Sequence, residues 1–473
     1  FLFWDDARLV IENPFSGLKK VLSYTHKSLV QDGFQRKLHR EKVVLYKELP
    51  KEKGRGERWV TYQGMLGVVI RTCIASKYQF ELKDKRRPIM KARIKQMYGF
   101  IHGQQELTEK ALLADKSGLI SAPTRYGKSR ILLNILRAYK GLKIVVCAPG
   151  KDLLSQTVEQ LREQLPEREI KAIFSGRGGG KTQSGDITVC SLDSLHKCNV
   201  LDTDLVIVDE VHTAVTATRF PLLNKFKRAR KLGMSATTDG RFDGADLLIT
   251  ALFGDVIARR TYLEAVSEGA ILPLKCFIVH VEFDPFEART RDKAYNTMAY
   301  KNPKFYKLVR QIEQKVPKDW QTLIFAKQET HIDALNHEIP EAAVALGKRM
   351  KNAEREQLFK QMQDGTTMRC IATDIYSTGV TFPDLRAQIN CSLGGGSILA
   401  VQKPGRLLQV RPGKTFGYMV DFNFQPRYTK PEMDPSQNKW MQVMGEQTSR
   451  FNVYRDRGYD LTFVQSIDEL NFI

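Results

Sequence analysis

Short, wholly apolar segments recur along this chain between helical stretches, and they constrain the fold more than any other feature. Between about 98 and 270 they are Gly118-Leu119-Ile120-Ser121, Lys143 to Ala148, Ile170 to Phe174, Asp186 to Cys190, Leu205 to Val208 and Lys231 to Met234. A second set follows from about 271: Lys275 to Val281, Thr322 to Phe325, Arg369 to Ala372, Gln388 to Cys391 and Gly417 to Val420. Runs this short and this apolar read as strands buried on both faces, the signature of parallel sheets built from βαβ units. The expected fold is therefore α/β, with two tandem parallel-sheet domains at 98–270 and 271–425. A small α+β domain at 1–97 precedes them, and a polar C-terminal extension at 426–473 follows.

Charge adds the first hint of a partner. The chain carries 74 Lys/Arg against 53 Asp/Glu, a net +21. Residues 1–100 alone hold 22 Lys/Arg and 10 Asp/Glu, so +12 of that surplus lies in the first fifth of the chain. Such an excess favours a polyanion, nucleic acid before an anionic membrane. Within the basic domain, Val43 to Tyr46 and Trp59 to Tyr62 read as strands joined by a charged tip, Lys51 to Arg58. Lys51, Lys53, Arg55 and Arg58 on that tip are candidate nucleic-acid contacts, against the plainer reading of a solvated loop. Trp4, Trp59, Trp320 and Trp440 could stack on bases, but an isolated Trp more often belongs to a core.

No apolar run approaches the ~20 residues of a membrane span, and no basic stretch leads an apolar one at the N-terminus. Seven cysteines with neither CxxC nor zinc-site spacing read as buried free thiols. A cytoplasmic protein is expected.

Three segments carry chemistry. Ser121-Ala122-Pro123-Thr124-Arg125-Tyr126-Gly127-Lys128-Ser129 lies between a strand and the helical pattern Arg130 to Ala138. A tight loop there would turn its amides, with Thr124 and Gly127, toward phosphates at a helix N-terminus. Lys128 would reach the β/γ-phosphates and Ser129 would bind Mg2+. Next, Leu205-Val206-Ile207-Val208-Asp209-Glu210-Val211-His212 ends a buried strand on two acids, which is costly unless a cation compensates. Asp209 would orient Mg2+ and Glu210 the attacking water. Finally, Ser235-Ala236-Thr237 ends another apolar strand. All three lie where open α/β sheets bind ligands.

Taken in order, these segments resemble the motifs of superfamily 2 helicases and translocases. Asp209-Glu210-Val211-His212 resembles a DEVH box. Gln105, 17 residues ahead of Ala122, stands where that family's adenine-reading glutamine lies. Ala148 to Gln156 resembles motif Ia, Thr188 to Leu192 motif Ib, Leu323 to Ala326 motif IV, Ala372 to Val380 motif V and Gln402-Lys403-Pro404-Gly405-Arg406 motif VI. The stretch Ser235 to Gly244 followed by Leu252-Phe253-Gly254 is similar to phage UvsW-type branch-migration DNA helicases.

The resemblance implies two RecA-like domains with ATP and Mg2+ between them. Lys128, Asp209, Glu210, Gln402 and Arg406 would be catalytic. Gln105, Thr124, Gly127, Lys128, Ser129, Gly379 and Arg411 would hold the nucleotide. His212, Ser235 and Thr237 would couple phosphate state to motion, and Lys151, Ser191 and Thr373 would touch the nucleic-acid backbone. The implied activity is ATP-dependent remodelling of forked, branched or duplex DNA by a monomer, in a bacterial host if phage-encoded. An RNA helicase, a motor subunit of a restriction-type complex and a weakly hydrolysing clamp are the alternatives. Three positions depart from the family pattern. Arg125 replaces a usual Gly, which should hinder a special loop conformation. His102 replaces an Arg, and Gln409 stands in the slot of a second motif VI arginine, with Arg411 two residues beyond.

Overall fold

The computed structural model describes the chain outside 33–34, 89–90, 149, 174–184, 237–243, 346–349, 374–381, 395–396, 429–433, 436 and 473. It divides into two compact units. One holds Phe1–Pro123 and Gly127–Thr261, and the other holds Thr124–Tyr126 and Tyr262–Ile473.

The first unit is built on a seven-stranded, all-parallel sheet. Its order is Ile170–Ile173, Ile187–Cys190, Ile144–Cys147, Leu205–Asp209, Arg230–Ser235, Gly118–Ser121 and Val256–Arg259. The central strands are buried along their length, as their apolar runs require. Three adjacent strands end on the three chemistry-bearing segments. Asp209 pairs in register with Met234, and Ser235 with Ser121. Register therefore brings the acidic pair, the serine and the phosphate loop to one sheet edge.

The basic N-terminal region packs into this same unit. Its five-stranded sheet runs Tyr46–Glu48, Arg58–Tyr62, Arg8–Glu12, Leu2–Trp4 and Leu82–Asp84. Its core includes Trp4, Leu9, Trp59 and Val69 together with Ala251 of the helix Asp246–Phe253. Arg71 pairs with Asp255 at 2.8 Å across the seam, and Gln63 Nε2 donates to Ser117 Oγ at 3.4 Å. A separate two-stranded ribbon, Ser23–Asp32 against Gln35–Val44, rises from this region. The hairpin expected from Val43 to Tyr62 is real, but Val43 and Val44 belong to that longer ribbon and only Tyr46–Glu48 pairs with Arg58–Tyr62.

The second unit repeats the seven-stranded parallel design. Its order is Ala343–Ala345, Arg369–Ala372, Gln321–Phe325, Leu385–Asn390, Gly417–Pro426, Leu274–Phe283 and Asp460–Val464. Residues beyond 426 add the helix Trp440–Arg457 and the edge strand Asp460–Val464. Trp440 and Val443 bury themselves in the unit's core beside Phe422 and Phe424.

All seven cysteines are buried. Cys190 Sγ lies 4.0 Å from Cys147 Sγ and 3.7 Å from Cys198 Sγ, and the contact with the Cys190 thiol, then burial, pushes Cys198 upward. Trp4, Trp59 and Trp440 are core residues and Trp320 packs against a core, so the plainer reading of the tryptophans holds. Among the described residues, no helix is long and apolar enough to cross a membrane.

Candidate active site of the first unit and its counterpart in the second

The helix Lys128–Ala138 starts behind Gly127, which takes φ +90°. Glycine is favoured there by its left-handed backbone conformation, and a side chain would also have to displace the amide nitrogen of Gln104. The first-turn amides of such a helix lack intrahelical partners and favour an anion.

Arg125 adopts φ +71°. The arginine at this position therefore does not prevent the special conformation, contrary to expectation; the loop takes it at a cost of about 1–2 kcal/mol. Burial also pulls the Arg125 guanidinium down to about 10. Arg125→Gly should recover about 1 kcal/mol, read as a higher melting temperature. An unchanged or lower one would show that contacts of the side chain outweigh the strain.

Lys128 Nζ lies 3.6 Å from Glu210 Oε1. The other oxygen, Oε2, is 3.3 Å from His212 Nδ1 and accepts from Ser235 Oγ at 3.3 Å. His212 Nδ1 and Ser235 Oγ are themselves 3.2 Å apart, and Ala122 N donates to Ser235 O at 3.2 Å. Glu210 sits at φ +49°, and this strained turn aims its carboxylate back over the sheet edge. Asp209 Oδ1 accepts from Glu210 N at 3.0 Å. Burial, then the adjacent Glu210 carboxylate, pushes Asp209 up to about 6, while Lys128 pulls it back. A half-buried carboxylate under this stress is suited to a divalent cation. Mg2+ needs only one or two carboxylates when phosphates supply its other ligands, so Asp209 with the Ser129 hydroxyl fits it.

The glutamine reading needs correcting. Gln105 is exposed and donates to Glu109 Oε1 at 2.9 Å, along its own helix. Its neighbour Gln104 is 1% exposed, accepts from Ile101 N at 3.3 Å and faces Gly127. The sequence reading missed Gln104 because two glutamines stand side by side and only helix phase separates them.

The second unit's residues occupy one segment. Gln402 ends the helix Ser397–Gln402, and Lys403 and Arg406 lie in or beside the turn Pro404–Leu408. All three are buried. Lys403 Nζ donates to Ser392 Oγ, and Ser392 Oγ donates to Asn390 Oδ1 at 2.9 Å. Asn390 Nδ2 donates to Asp421 Oδ2 at 3.0 Å. Asp421 also accepts two bonds from Arg450, at 2.8 and 2.9 Å, and one from Tyr454 Oη at 2.8 Å. A buried relay thus runs from the C-terminal helix to Lys403. Gln409 is half-buried, and Arg411 is exposed on a turn closed by Lys414 N donating to Arg411 O at 3.1 Å.

Among the nucleic-acid candidates, Ser191 caps the turn Leu192–Lys197 by accepting from Ser194 N at 3.3 Å. Thr373 follows the strand Arg369–Ala372 and is half-buried. Thr237, Gly379 and the side chain of Lys151 lie outside the described residues. On the tip, Glu52 engages Arg55 at 3.0 Å and Arg58 at 2.6 Å, leaving Lys51 and Lys53 exposed.

Two RecA-like sheets in tandem, the first with a phosphate loop, an acidic pair and a serine on adjacent strand ends, are the arrangement expected of superfamily 2 helicases. The chain belongs to the superfamily 2 helicases. Residues 91–240 match the family described as type III restriction enzyme, res subunit, and residues 303–411 match the helicase conserved C-terminal domain. It is similar to helicase 22 of Sulfolobus islandicus filamentous virus (isolate Iceland/Hveragerdi), with 26% identity over 64% of this chain and 60% of that one. It is similar also to the DNA 3'-5' translocase XPB2 of Sulfurisphaera tokodaii, with 24% identity over 63% and 76%. The ATP-dependent type ISP restriction-modification enzyme LlaBIII bound to DNA shares the fold, with a TM-score of 0.55, 16% identity and coverage of 85% and 34%. The chain spans between 48% and 76% of the length of the curated relatives it matches.

Proposed function

We propose that the chain is an ATP-dependent DNA helicase or translocase that remodels forked or branched DNA. The observation that carries this reading is the Lys128–Glu210–His212–Ser235 cluster, which sets a phosphate-loop lysine beside a carboxylate held by two further side chains. Gln104 and Gly127 shape the loop that receives the phosphates, and Lys128 balances their charge. Bound Mg2+ supplies further charge neutralisation at the transferring phosphate. Glu210 orients the attacking water and accepts its proton, while Ser235 and His212 hold the carboxylate in place. Those two side chains also register whether Glu210 is engaged, which links phosphate state to motion.

Gln402, Arg406, Gly379 and Arg411 of the second unit are retained as candidate ATP-site residues, with Arg411 as a stand-in for the arginine missing at Gln409. Lys151, Ser191 and Thr373 track the nucleic-acid backbone without reading sequence. DNA is favoured over RNA by the relative named a DNA translocase. The match to a restriction res subunit favours a second reading, a motor for a larger restriction-type complex.

The deciding experiment compares ATP-dependent activity on a four-way junction, a fork and a tailed duplex, alongside DNA-stimulated and RNA-stimulated ATP hydrolysis. Faster processing of the branched substrates, lost in Lys128→Ala, is expected. Stimulation by RNA alone would overturn the DNA assignment. Activity only on plain duplex, with copurifying methylase or nuclease subunits, would favour the restriction motor.

A further inference from the structure

The ribbon Ser23–Asp32/Gln35–Val44 is a charged structure that the sequence reading did not single out. Its strands each extend ten residues, about 34 Å at a strand's rise per residue. Register places Lys27 directly opposite Arg40, and Thr25 opposite Lys42. Side chains two apart share a face, so Lys27, Arg40 and Lys42 stand together, and all three are exposed. Among the described residues, no acidic side chain pairs with any of them. Like charges directly opposite on a sheet destabilise it.

The other face is different. Tyr24, His26, Ser28 and Val43 are half-buried there, His39 and Glu41 on the same face are exposed, and Tyr24 packs against both the N-terminal core and the core of the parallel sheet. The ribbon's root is pinned further by Gly244, where a Cβ would lie 2.8 Å from the Thr25 carbonyl. An isolated two-stranded ribbon is marginal in water. This one is anchored at its base and keeps Lys27, Arg40 and Lys42 turned to solvent, with no acidic partner among the described residues. The contrast with the Lys51–Arg58 tip is direct, because there Glu52 already occupies two of the four cations.

We infer that the face carrying Lys27, Arg40 and Lys42 is a docking surface for the phosphate backbone of duplex DNA. The inference rests on the nucleic-acid motor reading and deepens it by naming where duplex is held. A two-stranded ribbon is of a size that a duplex groove admits, and cations side by side on it suit two runs of phosphates better than one flexible strand. The contacts carry no sequence preference, as a motor's grip on its track requires.

The test uses the full chain. The charge-swapped variant Lys27→Glu/Arg40→Glu/Lys42→Glu and the neutral Lys27→Gln/Arg40→Gln/Lys42→Gln are compared with wild type for binding to a labelled duplex between 50 and 200 mM salt, conditions spanning the strong range of counterion release. The charge swap should weaken duplex binding at least about tenfold. The neutral variant should reduce the slope of log affinity against log salt by about 2–3, from roughly 0.9 per lost phosphate contact. Basal ATP hydrolysis and melting temperature should stay at wild-type values, and Lys51→Gln/Lys53→Gln should have a smaller effect. Duplex affinity and slope unchanged in the neutral variant would overturn the proposal, as would a loss confined to single-stranded DNA. Wild-type protein whose ATP hydrolysis no nucleic acid stimulates would instead sink the motor reading itself.

Discussion

Asp209→Asn is expected to abolish magnesium-dependent ATP hydrolysis, by at least about a hundredfold, while raising the melting temperature of the nucleotide-free protein. Both effects have one cause. Burial and the neighbouring Glu210 lift Asp209 to about 6, so the folded chain holds this proton more tightly than the unfolded chain does. Between the ordinary carboxylate value and about 6, stability must then fall as pH rises. Above about 6 the folded protein carries the full cost of a stressed anion, about 1–3 kcal/mol. Asparagine removes the charge and with it that cost, but it also removes the carboxylate proposed to hold the cation. Melting curves of both proteins between pH 4 and 8 check this. They should separate as pH rises toward 6, with the variant above, and keep a constant gap beyond it. A variant that melts lower than wild type at pH 8 would overturn the account.

The second large effect lies in the other unit. Asp421 is 0% exposed and accepts from Arg450, Tyr454 and Asn390. Asp421→Ala leaves Arg450 as an uncompensated buried cation and should cost about 3–5 kcal/mol. Replacing the pair together, Asp421→Leu with Arg450→Met, should cost less than the sum of the single changes, because the Coulombic debt vanishes with both charges. Denaturant unfolding of the four proteins measures the coupling. A single-variant cost under about 1 kcal/mol, or additive effects, would show that the relay does not fasten the helix Trp440–Arg457.

The central strands were readable because parallel strands buried on both faces must be apolar throughout. The same logic explains what was missed. Val256–Arg259 and Ala343–Ala345 are short edge strands, and Asp460–Val464 is exposed at most of its positions. The long ribbon is mostly polar and charged, with Arg40, Glu41 and Lys42 in succession, so it lacks the run that betrays a buried strand. The sequence points to Lys128, Asp209 and Glu210 because chemistry restricts residue type there, and the fold sets Lys128 3.6 Å from Glu210. The site was not legible where packing decides between neighbours. Gln104 and Gln105 differ only in which way a helix turns them, and Arg125 shows that a backbone conformation usually left to glycine can be imposed on a larger residue.

The burial of every cysteine has a practical corollary. The native surface offers no thiolate to a maleimide, so the chain is a natural blank for fluorophore attachment. A single Thr25→Cys on the ribbon would accept one dye without prior removal of the native thiols, and a second, slower wave of labelling would time the opening of the sheets that shelter them.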